Sequence, residues 1–259
     1  NGTQVALSAT PGRDVRRRIL NLTVGDIWIR TDEARRKITW HFVRVSVSPR
    51  VQSRDWRMQK IIVAKDQRYS SIASYHVRGL RTDGRRVLVL NSQIEPLTHV
   101  FTQCGDAQAG FVIGDASLRF LAEEMFASLG DQVAAQPGSG WRAKSTAYFD
   151  RVKTAANPIL ATGLTKTQPG GVGMDVPDLN GGMGKDVPDL DGGVVMFPVP
   201  DRDIVVQMSG CWNRDHPTKK DPVVVVTVPD TSAGRSAAQT MIAHLRSTGA
   251  EIVEHPQVF

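Results

Sequence analysis

Arginine side chains, which bind phosphate, are concentrated in the first third of this 259-residue chain. Residues 1–90 hold 16 Arg and 3 Lys against 7 acidic residues, a net charge of +12. The other 169 residues hold 13 basic and 19 acidic residues, a net charge of −6. A guanidinium group binds phosphate through paired hydrogen bonds and stacks on bases, so the choice of Arg over Lys favours a polyanion partner. The basic residues predicted to make these contacts are Arg16, Arg17, Arg18, Arg35, Arg36, Lys37, Arg44, Arg50, Arg54, Arg57, Arg85 and Arg86.

Three tryptophans, Trp28, Trp40 and Trp56, are interleaved with these basic residues and could stack on unpaired bases. Trp40 alternates with Ile38 and Phe42, a pattern that favours a core position for it instead. The chain contains no zinc-finger, helix-turn-helix or RNP-type signature, so recognition is expected to depend on shape and backbone contacts. The alternative interpretation of the positive charge is a solvated surface in a chain of Arg-rich composition.

Oxygen ligands recur in a tandem duplication of 11 residues, residues 173–183 and 184–194. Closely spaced carboxylates beside glycine are typical of Ca²⁺ sites. However, the spacing differs from that of an EF-hand and each copy contains a proline, so a flexible acidic turn is favoured. No metal or other cofactor is predicted.

Ser232 follows a predicted buried strand and opens a predicted helix, where free amides and the helix dipole favour an anion. The chain lacks the glycine two residues before Ser232 that a nucleophile elbow requires. Capping of the helix by Asp230, Thr231 or Ser232 explains the same residues. A hydrolase that uses Ser232 is therefore only an alternative.

Other catalytic or metal-binding patterns are missing from the sequence. Cys104 and Cys211 form no CxxC pair, and whether they pair with each other is left open. The six histidines show no metal-ligand spacing, although His216 lies five residues from Cys211. A P-loop, a dinucleotide-binding fingerprint and a kinase set are also lacking, which favours a protein that is not an enzyme. No apolar stretch has membrane-spanning length.

The elements that carry the basic residues are predicted to be antiparallel strands. The run 37–48 alternates, with Ile38, Trp40 and Phe42 on one face and valines from Val43 on the other, which predicts a bulge or bend. Further strands are predicted at 15–22, 26–30, 57–64, 74–80 and 85–90. Asp83-Gly84 between the last two predicts a hairpin turn.

The rest of the chain is predicted to be mixed. Helical spacing indicates helices at 117–129 and 141–156, before a Gly-rich segment. The tail is predicted to contain strands at 194–198, 204–208 and 223–228, a helix that Gly249 ends, and a last strand from Glu251.

The predicted fold class is α+β, with an N-terminal antiparallel β-meander, two central helices and a small C-terminal α/β unit. The expected domains are a basic β module (1–95), a helical segment packed on it (96–161), a Gly-rich duplicated arm (162–193) and the α/β unit (194–259).

The function predicted from these features is that of a self-assembling structural protein that binds nucleic acid non-specifically through an Arg-rich sheet, such as a viral or phage coat protein. Its expected partners are RNA in preference to DNA and further copies of the chain, with no membrane, and its expected location is the virion. The alternatives are an RNA-binding subunit of a ribonucleoprotein and a hydrolase centred on the C-terminal unit.

Overall fold

The strands of the protein form one parallel sheet in a computed structural model that describes residues 36–48, 59–60, 62–63, 66–91, 94–104, 110–112, 159–162 and 189–259. Seven strands are hydrogen-bonded in the order β3-β4-β2-β5-β6-β1-β7, and every neighbouring pair is parallel. The strands are β1 (Thr39–Val45), β2 (Val87–Asn91), β3 (Gly110–Val112), β4 (Ile159–Thr162), β5 (Gly192–Val195), β6 (Val223–Pro229) and β7 (Glu251–Val258).

Helices cover both faces of this sheet. Residues of α1 and α2 pack in one hydrophobic cluster with one face, and residues of α3 and α4 pack in a second cluster with the other. Parallel strands need such crossover helices, and their burial on both faces explains apolar runs such as Val223–Val228. The helices whose bounds lie within the described residues are α1 (Gln67–Thr82), α2 (Ile94–Cys104), α3 (Arg202–Ser209) and α4 (Ser232–Arg246).

The predicted antiparallel meander is wrong, because the described sheet is entirely parallel and belongs to a layered α/β fold. The segment predicted as a strand at 74–80 lies inside α1, which Asp66 caps by accepting a hydrogen bond from the Arg68 amide at 3.0 Å. The Asp83-Gly84 turn joins this helix to β2, with Gly84 at a φ of 71°.

The apolar alternation of β1 also has a simpler cause than a change of phase. Trp40 and Phe42 belong to the cluster on the α3–α4 face, while Val43 and Val45 belong to the cluster on the α1–α2 face. A strand between two helix layers must present apolar side chains in both directions. The register irregularity between Phe42 and Arg44 is real, but it occurs in the pairing of β1 with β7 and not with β6.

Among the other local predictions, some are wrong, one is confirmed and several lie outside the described residues. The strand predicted at 204–208 is part of α3, and the described residues within 57–64 are helical. The strand–helix–strand unit of β6, α4 and β7 is confirmed, and Gly249 ends α4 at a φ of 77°. The strands predicted at 15–22 and 26–30, the helices predicted at 117–129 and 141–156, and most of the Gly-rich arm lie outside the described residues.

The crossovers reverse direction between two neighbouring strands. The connection that leaves β1 contains α1 on one face, whereas the connection that leaves β6 contains α4 on the opposite face. Where adjacent parallel strands send their chains to opposite faces, a crevice opens at their carboxyl ends, and ligands of α/β proteins commonly bind there. The carboxyl ends of β1 and β6 are therefore the place to look for a site.

Candidate nucleic-acid interface

The strand β6 passes into α4 through a tight loop. The Asp230 amide donates to the Val45 carbonyl oxygen at 2.8 Å, which places the end of β6 against the end of β1. Thr231 is the N-cap of α4, and its hydroxyl oxygen accepts from the Gly234 amide at 3.0 Å. Of the three predicted capping residues, Thr231 therefore performs the role.

A buried amide from another segment holds this loop from behind. The Thr231 hydroxyl donates to Oε1 of Gln59 at 2.7 Å, and Gln59 is only 1% exposed. Thr231 thus accepts one hydrogen bond from α4 and donates another to a distant part of the chain. The start of α4 is fixed in place at the carboxyl edge of the sheet.

Two guanidinium groups converge on one carboxylate beside this helix start. Nη1 of Arg235 lies 2.7 Å from Oδ1 of Asp230, and Nη1 of Arg44 lies 4.0 Å from the same oxygen. The side chains of Arg44 and Arg235 remain 36% and 50% exposed. Two positive charges against one negative charge leave a net charge of +1 at the positive end of the α4 dipole. This arrangement, hereafter the Arg44–Asp230–Arg235 cluster, attracts anions.

A buried polar network supports the same edge from the α1 side. The Tyr69 hydroxyl lies 2.6 Å from the carbonyl oxygens of both Met196 and Thr227. Its ring stacks on Phe197 with centroids 4.9 Å apart. Burial raises the pKa of Tyr69 well above 10, with a hydrogen bond to Thr227 opposing, so this hydroxyl stays protonated. Tyr69 is a structural link and not an acid or base.

Most of the predicted binding residues that the structure describes lie at the opposite, amino edge of the sheet and bond within the chain. Nε of Arg36 lies 2.5 Å from Oδ1 of Asp215, and this bond lowers the pKa of Asp215. Lys37 pairs with Glu251 at 3.4 Å. Arg85 donates to the Asp191 and Asp221 carbonyl oxygens, and Arg86 pairs with Asp189 at 2.7 Å.

Arg44 is thus the predicted binding residue that the structure places in the cluster at the carboxyl edge. The others that are described, Arg36, Lys37, Arg85 and Arg86, are separated from it by the length of the strands. Their role in binding stays a prediction. Arg16, Arg17, Arg18, Arg35, Arg50, Arg54 and Arg57 lie outside the described residues.

Sequence reasoning missed Arg235 as a partner of Arg44. The two residues are far apart in the chain, and only the parallel pairing of β1 with β6 brings Arg44 beside Val228. A local signal did exist, since an Asp before a helix and an Arg five residues later can pair across the first turn. That pattern indicates an ion pair, but it does not reveal the second guanidinium.

The catalytic alternatives gain no partner groups here. Ser232 is exposed at the first position of α4, and within the described part of the chain it forms no hydrogen bond with a histidine. Cys211 is buried and Cys104 is partly buried, and the two form no disulfide with each other. Nδ1 of His216 contacts the Thr218 hydroxyl at 2.9 Å in a turn, not Cys211.

The described residues contain neither a metal-binding cluster nor a membrane-spanning helix. Within residues 36–48, 59–104 with their gaps, 110–112, 159–162 and 189–259, no three His, Cys, Asp or Glu side chains are arranged to hold a metal ion. None of the helices in the same parts of the chain has the length and apolar character needed to cross a membrane.

Comparisons with known proteins give a distant likeness in structure alone. No protein-family model matches the chain, and no curated protein matches its sequence. The crystal structure of T4 UvsW superposes with a TM-score of 0.48 at 11% sequence identity. The match covers 86% of this chain and 41% of the T4 UvsW chain, so this chain spans well under half of that protein. A likeness of this size says nothing about function.

Proposed function

We propose that the protein binds the phosphate backbone of nucleic acid at the carboxyl edge of its sheet. The observation that carries the proposal is the convergence of Arg44 and Arg235 on Asp230 beside the start of α4. Phosphate oxygens bind well to guanidinium groups and to the free amides of a helix N-terminus. The net charge of +12 over residues 1–90 supports a polyanion as the partner.

Binding through the backbone fits the character of the cluster. Its donors are side chains at the carboxyl edge of the sheet, and no recognition element for base edges accompanies them in the described residues. Such binding depends steeply on salt, because each neutralised phosphate releases condensed counterions. Each phosphate contact adds about 0.7–0.9 to the slope of log affinity against log salt.

The test measures fluorescence anisotropy of a labelled single-stranded oligonucleotide as the salt concentration is varied. Arg235→Ala should weaken binding roughly 3- to 10-fold and lower the salt slope by about one. Asp230→Asn should strengthen binding, because it removes the carboxylate that competes with phosphate for both guanidiniums. Thr231, not Asp230, caps the helix, so this variant keeps the fold.

The matched control is Arg246→Ala, at the far end of the same helix. Arg246 pairs with Glu254 at 3.2 Å and its side chain is 59% exposed. Like Arg235, it is therefore an exposed arginine of α4 that pairs with a carboxylate. Equal losses for Arg235→Ala and Arg246→Ala would show that only net charge matters and would contradict the assignment of the edge. A salt slope near zero for the wild-type protein would contradict nucleic-acid binding altogether.

Two finer proposals concern what the bound protein does. One is a self-assembling coat protein, and the other is an RNA-binding subunit of a ribonucleoprotein. The coat-protein analogy relied on a sheet face laid against RNA, and helices cover both faces of the described sheet, so that support is removed. Light scattering of purified material, with absorbance at 260 nm, distinguishes a large nucleic-acid-filled assembly from a single chain on one RNA.

A further inference from the structure

Three histidines from separate elements meet where the edge strand β7 lies on β1. His41 belongs to β1, His255 to β7 and His76 to α1. Nδ1 of His41 and Nε2 of His255 are 3.0 Å apart, and the two rings stack with centroids 5.2 Å apart. A hydrogen bond between two ring nitrogens needs one of them to be unprotonated, so protonation of both rings breaks it.

The third ring touches the end of the same strand. His76 meets Phe259 edge to face with centroids 6.0 Å apart. Its Nε2 atom is buried and has no hydrogen-bond partner among the described residues. A charge on this ring would therefore be poorly solvated and would lie beside two other imidazoles.

The surroundings favour the neutral forms of His76 and His41. Burial, then His255 and His41, lowers the pKa of His76 to about 4. Burial and His255 also lower the pKa of His41, while Glu251 acts in the opposite direction. A folded-state pKa below the unfolded value of 6.5 stabilises the contact above pH 6.5, and this stabilisation is lost as the pH falls towards 4.

Four other charged groups on the three elements have partners of their own. Glu251 pairs with Lys37, and Glu254 pairs with Arg246 of α4. Arg78 of α1 donates to the Gln103 carbonyl oxygen of α2. Arg44 of β1 donates to the Pro256 carbonyl oxygen of β7. Of the carboxylates on β7, Glu251 is thus the one that favours the protonated form of His41, against the effect of burial and of His255.

The strand that these rings hold is the outermost one of the sheet on this side. β7 is hydrogen-bonded to β1 alone among the described strands, and most of its residues are partly or fully exposed. We propose that His41, His76 and His255 form a proton-operated latch, which releases β7 from β1 in mild acid while the rest of the sheet stays paired. The latch rests on these contacts and not on the proposed function.

Release of β7 has a consequence for the Arg44–Asp230–Arg235 cluster. The guanidinium of Arg44 is held by the Pro256 carbonyl oxygen on one side and lies near Asp230 on the other. Loss of the bond to β7 frees this guanidinium for a phosphate. Through this link, which does rest on the proposed function, acid strengthens polyanion binding beyond the effect of the added histidine charge.

The test of the latch uses hydrogen–deuterium exchange of the full chain at pH 7.5, 6.0 and 4.5, with protection corrected for the intrinsic exchange rate. The amides of residues 251–255, 257 and 258 (Pro256 has no N–H) should lose protection by roughly 10- to 100-fold at pH 4.5, the most that a two-unit drop below pH 6.5 permits for one histidine. Amides of β5 and β6 should keep theirs. His76→Phe, which retains an aromatic ring against Phe259, should abolish most of the loss.

A histidine outside the cluster provides the matched control, and an NMR titration of His76 provides a second measurement. His244→Gln, on α4 and outside the cluster, should behave as the wild type. Uniform loss of protection across all strands would show global acid unfolding and would overturn the latch, as would unchanged protection of 251–258. In the wild-type protein, an NMR titration of His76 should show a midpoint well below 6, and a midpoint near 6.5 would also overturn it.

Discussion

The carbonyl oxygen of Pro229 occupies the space that a side chain on Gly234 would need. A Cβ atom built there overlaps this backbone oxygen, which is held in place because Pro229 is paired with Val45 of β1 and its oxygen accepts from the Thr231 amide at 2.7 Å. Glycine at this position lets the first turn of α4 lie directly against the end of its own strand. The candidate anion site depends on that close approach.

Gly234→Ala should therefore destabilise the protein by roughly 1–3 kcal/mol through steric overlap. Gly79→Ala in α1 is the matched control, since a Cβ there meets nothing within 4 Å. It should stabilise the protein by about 0.5–1 kcal/mol, because alanine favours a helix interior. Urea unfolding of the two variants measures both changes in the free energy of unfolding. Equal changes would contradict the close contact between Gly234 and Pro229.

The two buried tryptophans should respond differently to replacement by phenylalanine. Trp40 and Trp212 meet edge to face with centroids 5.8 Å apart. Nε1 of Trp212 donates to the Gly192 carbonyl oxygen at 2.8 Å, whereas Nε1 of Trp40 has no partner among the described residues. Trp212→Phe should cost about 1–2 kcal/mol more than Trp40→Phe in unfolding free energy, since only it breaks a buried hydrogen bond. If chemical denaturation shows a larger loss of unfolding free energy for Trp40→Phe than for Trp212→Phe, the prediction is wrong.

Removal of the Tyr69 hydroxyl should weaken the link between α1 and the carboxyl edge. Tyr69→Phe keeps the stacking on Phe197 and removes the bond to the Met196 and Thr227 carbonyl oxygens. The expected loss of stability is about 1 kcal/mol, with Met196 still accepting a bond from the Thr227 hydroxyl. Tyr75→Phe is the control, because Tyr75 is 59% exposed. It should change the free energy of unfolding by less than about 0.5 kcal/mol.

Lys219 should make stability depend on alkaline pH. Its ammonium donates to the Trp212 and Arg214 carbonyl oxygens, and burial lowers its pKa to about 8 from 10.5. The folded protein therefore binds fewer protons than the unfolded chain between pH 8 and pH 10.5, so this residue adds stability as the pH rises through that window. We expect a gain of about 1–3 kcal/mol by urea unfolding.

Lys219→Met should flatten this alkaline rise. The exposed neighbour Lys220 provides the control, since Lys220→Met removes an ammonium from the surface without changing the buried environment of Lys219. A rise that persists in Lys219→Met would assign the effect to another group.

The sequence predicted the C-terminal strand–helix–strand unit because its local signals agree with one another. The apolar run of β6, the cap at Thr231 and the stop at Gly249 each describe one element without reference to the rest of the chain. The antiparallel meander failed because the same apolar alternation suits a strand in either kind of sheet. In α1, Tyr69, Ala73, Val77 and Leu80 have helical spacing, but the Asp-Gly dipeptide after them suggested a hairpin.

The candidate site could be predicted only in part. Arg44 was identified by its charge, and the start of α4 by its capping residues. Their proximity depends on the parallel pairing of β1 with β6, which joins residues more than 180 positions apart. No local pattern carries that information, because the order of strands in a sheet is decided by long-range packing.

The position of β1 between β6 and β7 constrains how the chain can fold during synthesis. The first described strand must wait for the last two before it has neighbours on either side. While the ribosome completes residues 46–222, β1 exposes an apolar, unpaired segment to whatever else is nearby. A nascent chain with this strand order favours slow, late assembly of the sheet, and it needs protection from aggregation until β6 and β7 emerge.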